Sequence, residues 1–562
     1  MDGSQSAIWD VAPRAPAAAL LGLGVGSPLL AALLWNRGIR DATAARTFLE
    51  PASAALGDPW RMAGAAAAVD RIRAAIRRGE TIALHGDYDV DGVTATAVLA
   101  ETLARLGAAP IVHIPHRVRD GYGLSSQAVR ALAERGASLI VTVDCGITAN
   151  AEVALAAQLG VDVIVTDHHH VPVDLPSARA VLNPRQPACD YPFRELAGVG
   201  VAYVLARGLL ESGLSAGAAE SAMRELLDLV TLGTIADVVP LVGENRTLVA
   251  RGLDALRAGA RPGVAALMAV ASVRPDSLSA QRVAFTLTPR LNAAGRMGDA
   301  SEAYALLAAS DRTVAESLAE RLNGANRERQ QAVEDGCARA RAAADPRAPA
   351  VVVAGDYAPG IAGLIAARLA EESACPCVVL EYGADECKGS ARGPSDFHLA
   401  QALDGCRDLL LKYGGHAQAA GLTLRTANLA AFTERFCALA AAARGASRPP
   451  RRFAIDGAVS LREFDWKGLQ ALRALEPCGM GNALPTFLTP RAEVRDSRPL
   501  GEHGALLRLR EGGHTLSARA FRLGDRVPAT GTIVSVVYEV ECRADGRQVW
   551  PELSILDVRP AE

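Results

Sequence analysis

The chain has 562 residues, 50% of them hydrophobic and 22% charged, with a net charge of −3. That composition excludes an intrinsically disordered chain, and the small charge excludes a globally basic protein, so a nucleic-acid partner would have to be held by a local groove. The length predicts three or four domains, and ten scattered cysteines with no C-x-x-C pair argue against a disulfide framework or a structural zinc site.

Near the N-terminus, "APAAALLGLGVGSPLLAALLW" (15–35) is uncharged for about the length of a membrane span. Gly22, Gly24, Gly26 and Ser27-Pro28 interrupt it, and Asp2 and Asp10 do not suit a basic leader. Ser27-Pro28 reads instead as the cap and first turn of a short helix over "LLAALLWNRG". No targeting signal is read here, so a cytoplasmic protein with reduced thiols and no membrane partner is expected.

From about 60 to 185, four β-rich runs alternate with alanine-rich helical segments: "TIALHGD" (81–87), "PIVHIPH" (110–116), "SLIVTVD" (138–144) and "VDVIVTD" (161–167). Such alternation predicts a parallel sheet covered by helices. Residues 200 to 345 read as mostly helical, with a long connecting helix over 311–344 that Gly324 threatens to break. A second α/β unit opens with "APAVVVAGD" (348–356) and closes at the Pro- and Arg-rich stretch 443–452. The tail beyond 490 alternates in period two, with a hairpin signal at Asp545-Gly546, and predicts a small barrel of the OB type. The expected division is an N-terminal helical segment (1–60), a parallel-sheet α/β domain (61–300), a connecting helix (301–345), a second α/β domain (346–446) and an OB-type β-barrel (447–562).

The chemistry concentrates in "HGDYDVDG" (85–92). A calcium loop of the EF-hand type opening at Asp87 would need a glutamate at its twelfth position, where Val98 stands, and a helix in front, where a strand is read. The alternative is a catalytic metal corner. In an open α/β sheet, ligands bind beyond the carboxyl ends of the strands, and three strands here end in "DYDVDG", Asp144 and Asp167-His168-His169. One such aspartate is most simply a helix cap. Three adjacent strands delivering carboxylates and imidazoles to one rim point to a metal, and mixed Asp and His ligands suit Mn²⁺ or a similar ion. That many anionic ligands could hold two ions. Asp237, in the apolar "LGTIADVVPL", needs a cation or a helix-end role of its own.

The ordered set "HGDYDVDG", "VTVDCG", "VTDHH" and "LGTIADVVPL" resembles the four motifs of the DHH phosphoesterase superfamily. "RDGYGLS", "LTPRLNAAGRMG", "LNGANRERQ", "YGGHAQAAGLTL" and "PCGMGNALPTF" are similar to segments of its RecJ branch of bacterial single-strand-specific exonucleases. The resemblance runs from about Trp9 to the end. It implies a DHH domain, a DHHA1 domain and a DNA-binding OB-fold, and a Mn²⁺- or Mg²⁺-dependent exonuclease, two-ion in design, that degrades single-stranded DNA 5′ to 3′ to mononucleotides in recombination and repair. Single-strand-binding protein and a helicase are the implied partners. His85, Asp89, Asp91, Asp144, His168 and Asp237 match metal-ligand positions, with Asp144 bridging two ions. His169 matches the histidine credited with contacting the scissile phosphate, and Asp87 and Asp167 are expected to orient ligands. Arg290, Asn292, Arg296, Ser390, Arg392 and His416 are the candidates for gripping phosphates; for each arginine a surface salt bridge competes, and for His416 a close backbone approach. In the barrel, Arg543, Arg547 and Trp550 are candidate strand contacts, with a hairpin surface and a core tryptophan as the alternative.

The chain departs from its relatives at Tyr357-Ala358, where they usually carry an aromatic and a histidine, and around Gly393. A DHH phosphodiesterase of short oligonucleotides or cyclic dinucleotides is the alternative function, against which the β tail counts. A non-catalytic DNA-binding scaffold is the other, against which the intact aspartates count.

Overall fold

The structure, a computed structural model, describes residues 7–358, 360–445, 450–500, 504–521, 523, 526–545 and 548–561. After a short strand β1 (Ile8–Val11), a first sheet is built from β2 (Ile82–His85), β3 (Ile111–His113), β4 (Leu139–Val143), β5 (Asp162–Thr166) and β6 (Ala180–Leu182). All five are parallel, in the order β3-β2-β4-β5-β6. Strands β2 and β4 are wholly buried, as expected of parallel strands covered by helices on both faces, and this is why they read as unbroken apolar runs. The fifth strand, only three residues long, escapes the sequence pattern.

Parallel pairing aligns the carboxyl ends of the strands. His85 pairs with His113 and Thr142, and Val143 pairs with Thr166, so His85, His113, Asp144 and Asp167 all emerge at one rim. Helices Val90–Arg105, Gly198–Gly213 and Leu227–Ala236 pack over this sheet and close the largest apolar core.

The connecting helix spans Arg312–Ala343 without interruption. Gly324 therefore does not break it. Its Cα faces open space, so it costs about 1 kcal/mol of helix propensity, which the buried stripe Leu318, Leu322, Val333 and Cys337 offsets.

The second sheet comprises β7 (Val351–Gly355), β8 (Cys377–Glu381), β9 (Glu386–Arg392), β10 (Leu410–Gly415) and β11 (Ala419–Arg425), in the order β10-β11-β9-β8-β7. Only β7 and β8 are parallel; the hairpin half is antiparallel. Helices Ala362–Ser373 and Leu429–Arg444 lie in separate apolar clusters against it.

The tail carries β12 (Arg452–Ile455), β13 (Gly457–Ala458), β14 (Thr486–Leu500), β15 (Gly504–Glu511), β16 (His514–Ala520), β17 (Ile533–Asp545) and β18 (Gln548–Pro560). Strands β14-β15-β16-β18-β17 are linked in sequence, and β17 returns to β14, closing a five-stranded barrel. This is the expected OB-type architecture. Gly546 and Arg547 lie outside the described residues, so the hairpin tip and Arg547 carry no structural account. Arg543 is engaged by Glu552 (2.8 Å) and Glu541 (2.9 Å), whereas Trp550 is exposed.

The N-terminal segment belongs in space to this barrel. The helix Pro28–Asn36 starts as expected, with Ser27 Oγ accepting from Leu30 N at 3.2 Å, and its Leu30, Leu33 and Leu34 share a core with Phe464, Phe487 and Tyr538. Strand β1 pairs in parallel with β12, and Trp9 Nε1 donates to Asp557 Oδ2 at 2.8 Å. Arg246 then staples the first α/β unit to the barrel, donating from a buried position to the carbonyls of Leu475, Glu476 and Pro477 at 2.9–3.1 Å. None of the ten cysteines is in a disulfide, and eight are buried. Among the described residues no helix is long and apolar enough to cross a membrane.

Candidate metal centre

Each site aspartate is placed by a local rule. Asp89 caps the helix Val90–Arg105, its carboxylate accepting from Gly92 N at 3.1 Å. Asp91 follows in the first turn and is buried. Its two oxygens accept from Gly198 N (2.6 Å) and Val199 N (2.8 Å), the first amides of the helix Gly198–Gly213, where the helix dipole favours an anion. Asp144 stands just past β4 with φ of 62°, a left-handed conformation that an aspartate tolerates better than most residues. Asp237 ends the helix Leu227–Ala236, and Val238 behind it has φ of 60°. A β-branched residue there is strained, and such strain gathers at functional sites.

Donor atoms from these elements converge. Asp87, Asp89 and Asp144 form one group, Asp91, His168 and Asp237 a second, and Asp144, His168 and His169 a third, with all atoms of a group within 4.8 Å of one another. His168 Nε2 lies 3.2 Å from Asp144 Oδ1, 3.6 Å from Asp237 Oδ2 and 3.9 Å from Asp91 Oδ2. Yet Asp87 Oδ1, Asp144 Oδ1 and His168 Nε2 are buried without a hydrogen-bond partner. Leaving such atoms unsatisfied is costly, and cations held by these groups would satisfy all three.

The electrostatics agree. Burial and then the charge of Asp91 push the Asp144 carboxyl well above its ordinary range, and burial followed by Asp91 does the same at Asp237. Burial with Asp89 nearby pushes Asp91 up to about 7 and raises Asp87. Burial also holds His168 at about 3, so its imidazole is neutral and free to act as a ligand. A carboxylate at a helix C-terminus opposes the helix dipole, so Asp237 is not there as a favourable cap. Oxygen and imidazole donors without thiolate fit Mn²⁺ or Mg²⁺.

Asp167 and His169 work differently. Asp167 accepts from the backbone N–H groups of His168 (2.7 Å), His169 (3.0 Å) and Ile147 (2.9 Å), and from His169 Nδ1 at 2.7 Å. Burial alone would raise its carboxyl, but the bond to His169 and these amides bring it below the ordinary value. Burial likewise pulls His169 down, and Asp167 outweighs it, so His169 is raised. Asp167→Asn is expected to lower turnover 10- to 100-fold while leaving the fold intact, the usual cost of losing a partner that orients a site imidazole. Steady-state kinetics with a thermal melt of the same sample check this; unchanged turnover would show that His169 needs no such partner.

The structure does not bring His85 into the three groups. Its Nδ1 lies 3.0 Å from Nδ1 of His113, on which it stacks, and its Nε2 lies 3.2 Å from the Gly123 carbonyl oxygen. Asp87, expected to orient ligands, is instead grouped with Asp89 and Asp144. Two neighbours of the site are missing from the sequence reading. His113 ends the strand beside His85, and Tyr122, whose Oη is 3.2 Å from His169 Nδ1, sits in the segment "RDGYGLS".

The candidate phosphate-gripping residues separate into two sets. Arg296 donates to the Gly360 carbonyl at 2.9 Å, across to the second α/β unit. Burial first, then Arg117, Arg329 and Arg392, hold its guanidinium at about 9. None of these four arginines forms an ion pair with a carboxylate among the described residues, which leaves a cationic cluster beside the acidic centre. Ser390 and Arg392 lie together on β9, both next to Gly363 at the start of the helix Ala362–Ser373. Asn292 Oδ1 is buried and unpartnered. Arg290, in contrast, is spent internally on Asn323 (3.0 Å) and the Thr286 carbonyl (2.5 Å). His416 is exposed at the turn between β10 and β11, where Gly415 is required because a Cβ would lie 2.4 Å from the Ala419 carbonyl. Ala358 is exposed near the Arg296–Gly360 contact.

Comparisons with known proteins match this architecture. The DHH family, N-terminal domain, matches residues 81–234, the DHHA1 domain residues 348–442 and the RecJ OB domain residues 455–556. The single-stranded-DNA-specific exonuclease RecJ of Bacillus subtilis (strain 168) is 38% identical over 551 residues, covering 95% of this chain and 68% of that protein. The protein of the same name from Escherichia coli (strain K12) is 37% identical over 486 residues, covering 82% of this chain and 83% of its own length. The crystal structure of RecJ in complex with Mn²⁺ from Thermus thermophilus superposes with a TM-score of 0.84 at 33% identity, covering 99% of this chain and 80% of that one. With three family domains matched along the chain, and relatives above 30% identity along most of its length, the chain belongs to the RecJ family.

Proposed function

We propose that the chain is a divalent-metal-dependent exonuclease that degrades single-stranded DNA from the 5′ end to mononucleotides, in DNA recombination and repair. The observation that carries this reading is the convergence of buried, unpartnered donor atoms of Asp87, Asp144 and His168 at one rim of a parallel sheet. Asp87, Asp89 and Asp144 would hold one ion and Asp91, His168 and Asp237, with Asp144 shared, a second, Mn²⁺ or Mg²⁺. When bound, such ions acidify water and neutralise charge on phosphoryl oxygens.

The chain's own residues supply the rest. The amides of Gly198 and Val199 fix Asp91 in place. His169, whose raised pKa keeps a proton available and whose Nδ1 is tied to Asp167, donates to a phosphoryl oxygen. Arg296, Arg392, Ser390 and Asn292 take the neighbouring phosphates, for which forked guanidinium donors suit. His416 closes from the second unit, and the barrel guides the rest of the strand. With this reading go a cytoplasmic setting, a helicase that opens the duplex and single-strand-binding protein that covers the product strand.

The test compares 5′-phosphorylated single-stranded DNA with its duplex, with Mn²⁺ and with chelator, for the parent and Asp144→Asn. Mononucleotides released from the single strand alone, and lost with chelator and in the variant, are the expected result. Binding without cleavage under every metal would make the protein a scaffold, and cleavage confined to oligomers of a few nucleotides would make it a small-substrate phosphodiesterase.

A further inference from the structure

A continuous helical run from Ala280 to Met297 joins the barrel to the metal centre. At its first end, Gln281 and Arg282 line a cavity of about 380 Å³ shared with Arg473, Glu541 and Arg543 of the barrel side. At its last end, Gly295 lies so close to the metal corner that a Cβ would be 2.8 Å from the Tyr88 carbonyl, and Arg296 reaches Gly360. In between, residues Val283–Leu287 form a π-turn, a device concentrated at functional sites.

The turn is held open by side chains. Thr288 N reaches back five residues to the Val283 carbonyl, Thr288 Oγ1 takes the Ala284 carbonyl (3.0 Å) and Arg290 takes the Thr286 carbonyl (2.5 Å). The residue this turn presents is Phe285, which is 79% exposed, more than any other described aromatic side chain. Exposing a whole phenyl ring forfeits the burial that would otherwise stabilise it. Cations stand at both ends of the run: Arg282 lines the barrel-side cavity with Arg473 and Arg543, and Arg296 reaches Gly360 beside the metal corner. A rigidly presented aromatic between cationic side chains is the arrangement that holds single-stranded nucleic acid, with bases on the ring and phosphates on the charges.

We propose that Phe285 is a base-stacking platform for the single strand on its way from the barrel to the metal centre. The inference rests on the proposed function. Eleven residues of helix separate Phe285 from Arg296, about 16 Å at 1.5 Å per residue, or about five nucleotides of a strand stacked at the 3.4 Å rise of a duplex strand. The platform thus grips a base about five nucleotides in from the 5′ end, and it sets how long a strand must be to bind well.

The experiment is an abasic scan in the Asp144→Asn background, which holds the strand uncut. Single abasic sites are placed at positions two to eight of a 5′-phosphorylated 20-nucleotide strand with Mn²⁺, and affinity is read by fluorescence anisotropy for Phe285, Phe285→Ala and Phe285→Tyr. One abasic position near the fifth nucleotide is expected to weaken binding about tenfold when Phe285 is present. That penalty is expected to vanish in Phe285→Ala and return in Phe285→Tyr. In the active protein, Phe285→Ala is expected to raise KM for the 20-nucleotide strand about tenfold and to move KM for a trinucleotide less than twofold. Equal penalties at every position, or a position-specific penalty that survives Phe285→Ala, would overturn the platform while leaving the nuclease reading intact. A protein that retains no single-stranded DNA at all would overturn both.

Discussion

Asp144→Asn is expected to lower kcat on single-stranded DNA by about 10³-fold or more and, with metal withheld, to raise the melting temperature. Asp144 belongs to two of the three ligand groups, so the substitution weakens both candidate ion sites at once. Ions at a phosphoryl centre contribute several kcal/mol to transition-state stabilisation, and 1.36 kcal/mol is one decade in rate. The stability effect has the opposite sign because the metal-free centre is a crowd of buried carboxyls: after burial, the charges of Asp91, Asp89, Asp237 and Asp87 all act against ionisation of Asp144. An amide of the same shape removes the carboxyl whose ionisation they oppose. Relief of about 1–2 kcal/mol would raise the melting temperature by about one to two degrees in a protein of this size. With Mn²⁺ the sign reverses, since bound metal stabilises only the native state that holds it. Thermal melts in Mn²⁺ and in chelator, together with kinetics, decide the matter. A rate loss under tenfold, or melting shifts of the same sign in both conditions, would show that Asp144 is not a ligand.

Gly198→Ala is expected to cost about 100-fold in turnover without unfolding the protein. A Cβ at this position would lie 2.3 Å from Asp144 Oδ1 and 2.6 Å from its Cβ and Cγ, so either the helix start or the aspartate has to move. The same residue donates its N–H to Asp91 at 2.6 Å, and the displacement therefore disturbs two carboxylates together. A misplacement of about 1 Å at a reacting centre is enough for a loss of that order. The contrast is Gly324→Ala on the long helix, where a Cβ meets nothing within 4 Å. There the same change should add up to about 1 kcal/mol of stability and leave turnover alone. Parallel kinetics and melts of the two variants check the pair; turnover in Gly198→Ala equal to the parent's would mean the helix start yields without dragging the ligands.

The legible part of the site follows from one rule. Runs such as "SLIVTVD" carry the composition of buried parallel strands, and parallel strands send whatever follows them to a common rim. Asp89, Asp91, Asp144 and His168 can therefore be grouped from the chain alone. Asp237 is legible only as an anomaly, a carboxylate in an apolar helix, and the fold explains it by ending that helix on the acidic centre. Arg290 and His85 show where the reading stops. Their residue types suit a phosphate grip and a ligand, but which partner a side chain takes depends on neighbours distant in sequence: Asn323 for one, His113 and Gly123 for the other.

Local pattern by itself determined the strand–helix alternation, the capped helix at Ser27-Pro28, the period-two barrel and the order of acidic motifs, because each depends on residues within a few positions of one another. Only the tertiary structure decided that residues 20–49 pack into the core of a barrel more than four hundred residues away, that Gly324 leaves its helix whole, and that Asp87 stands among the ligand groups while His85 does not. These outcomes depend on packing and on donor–acceptor pairing between segments far apart in the chain, and no local periodicity encodes which distant surface a given side chain will meet.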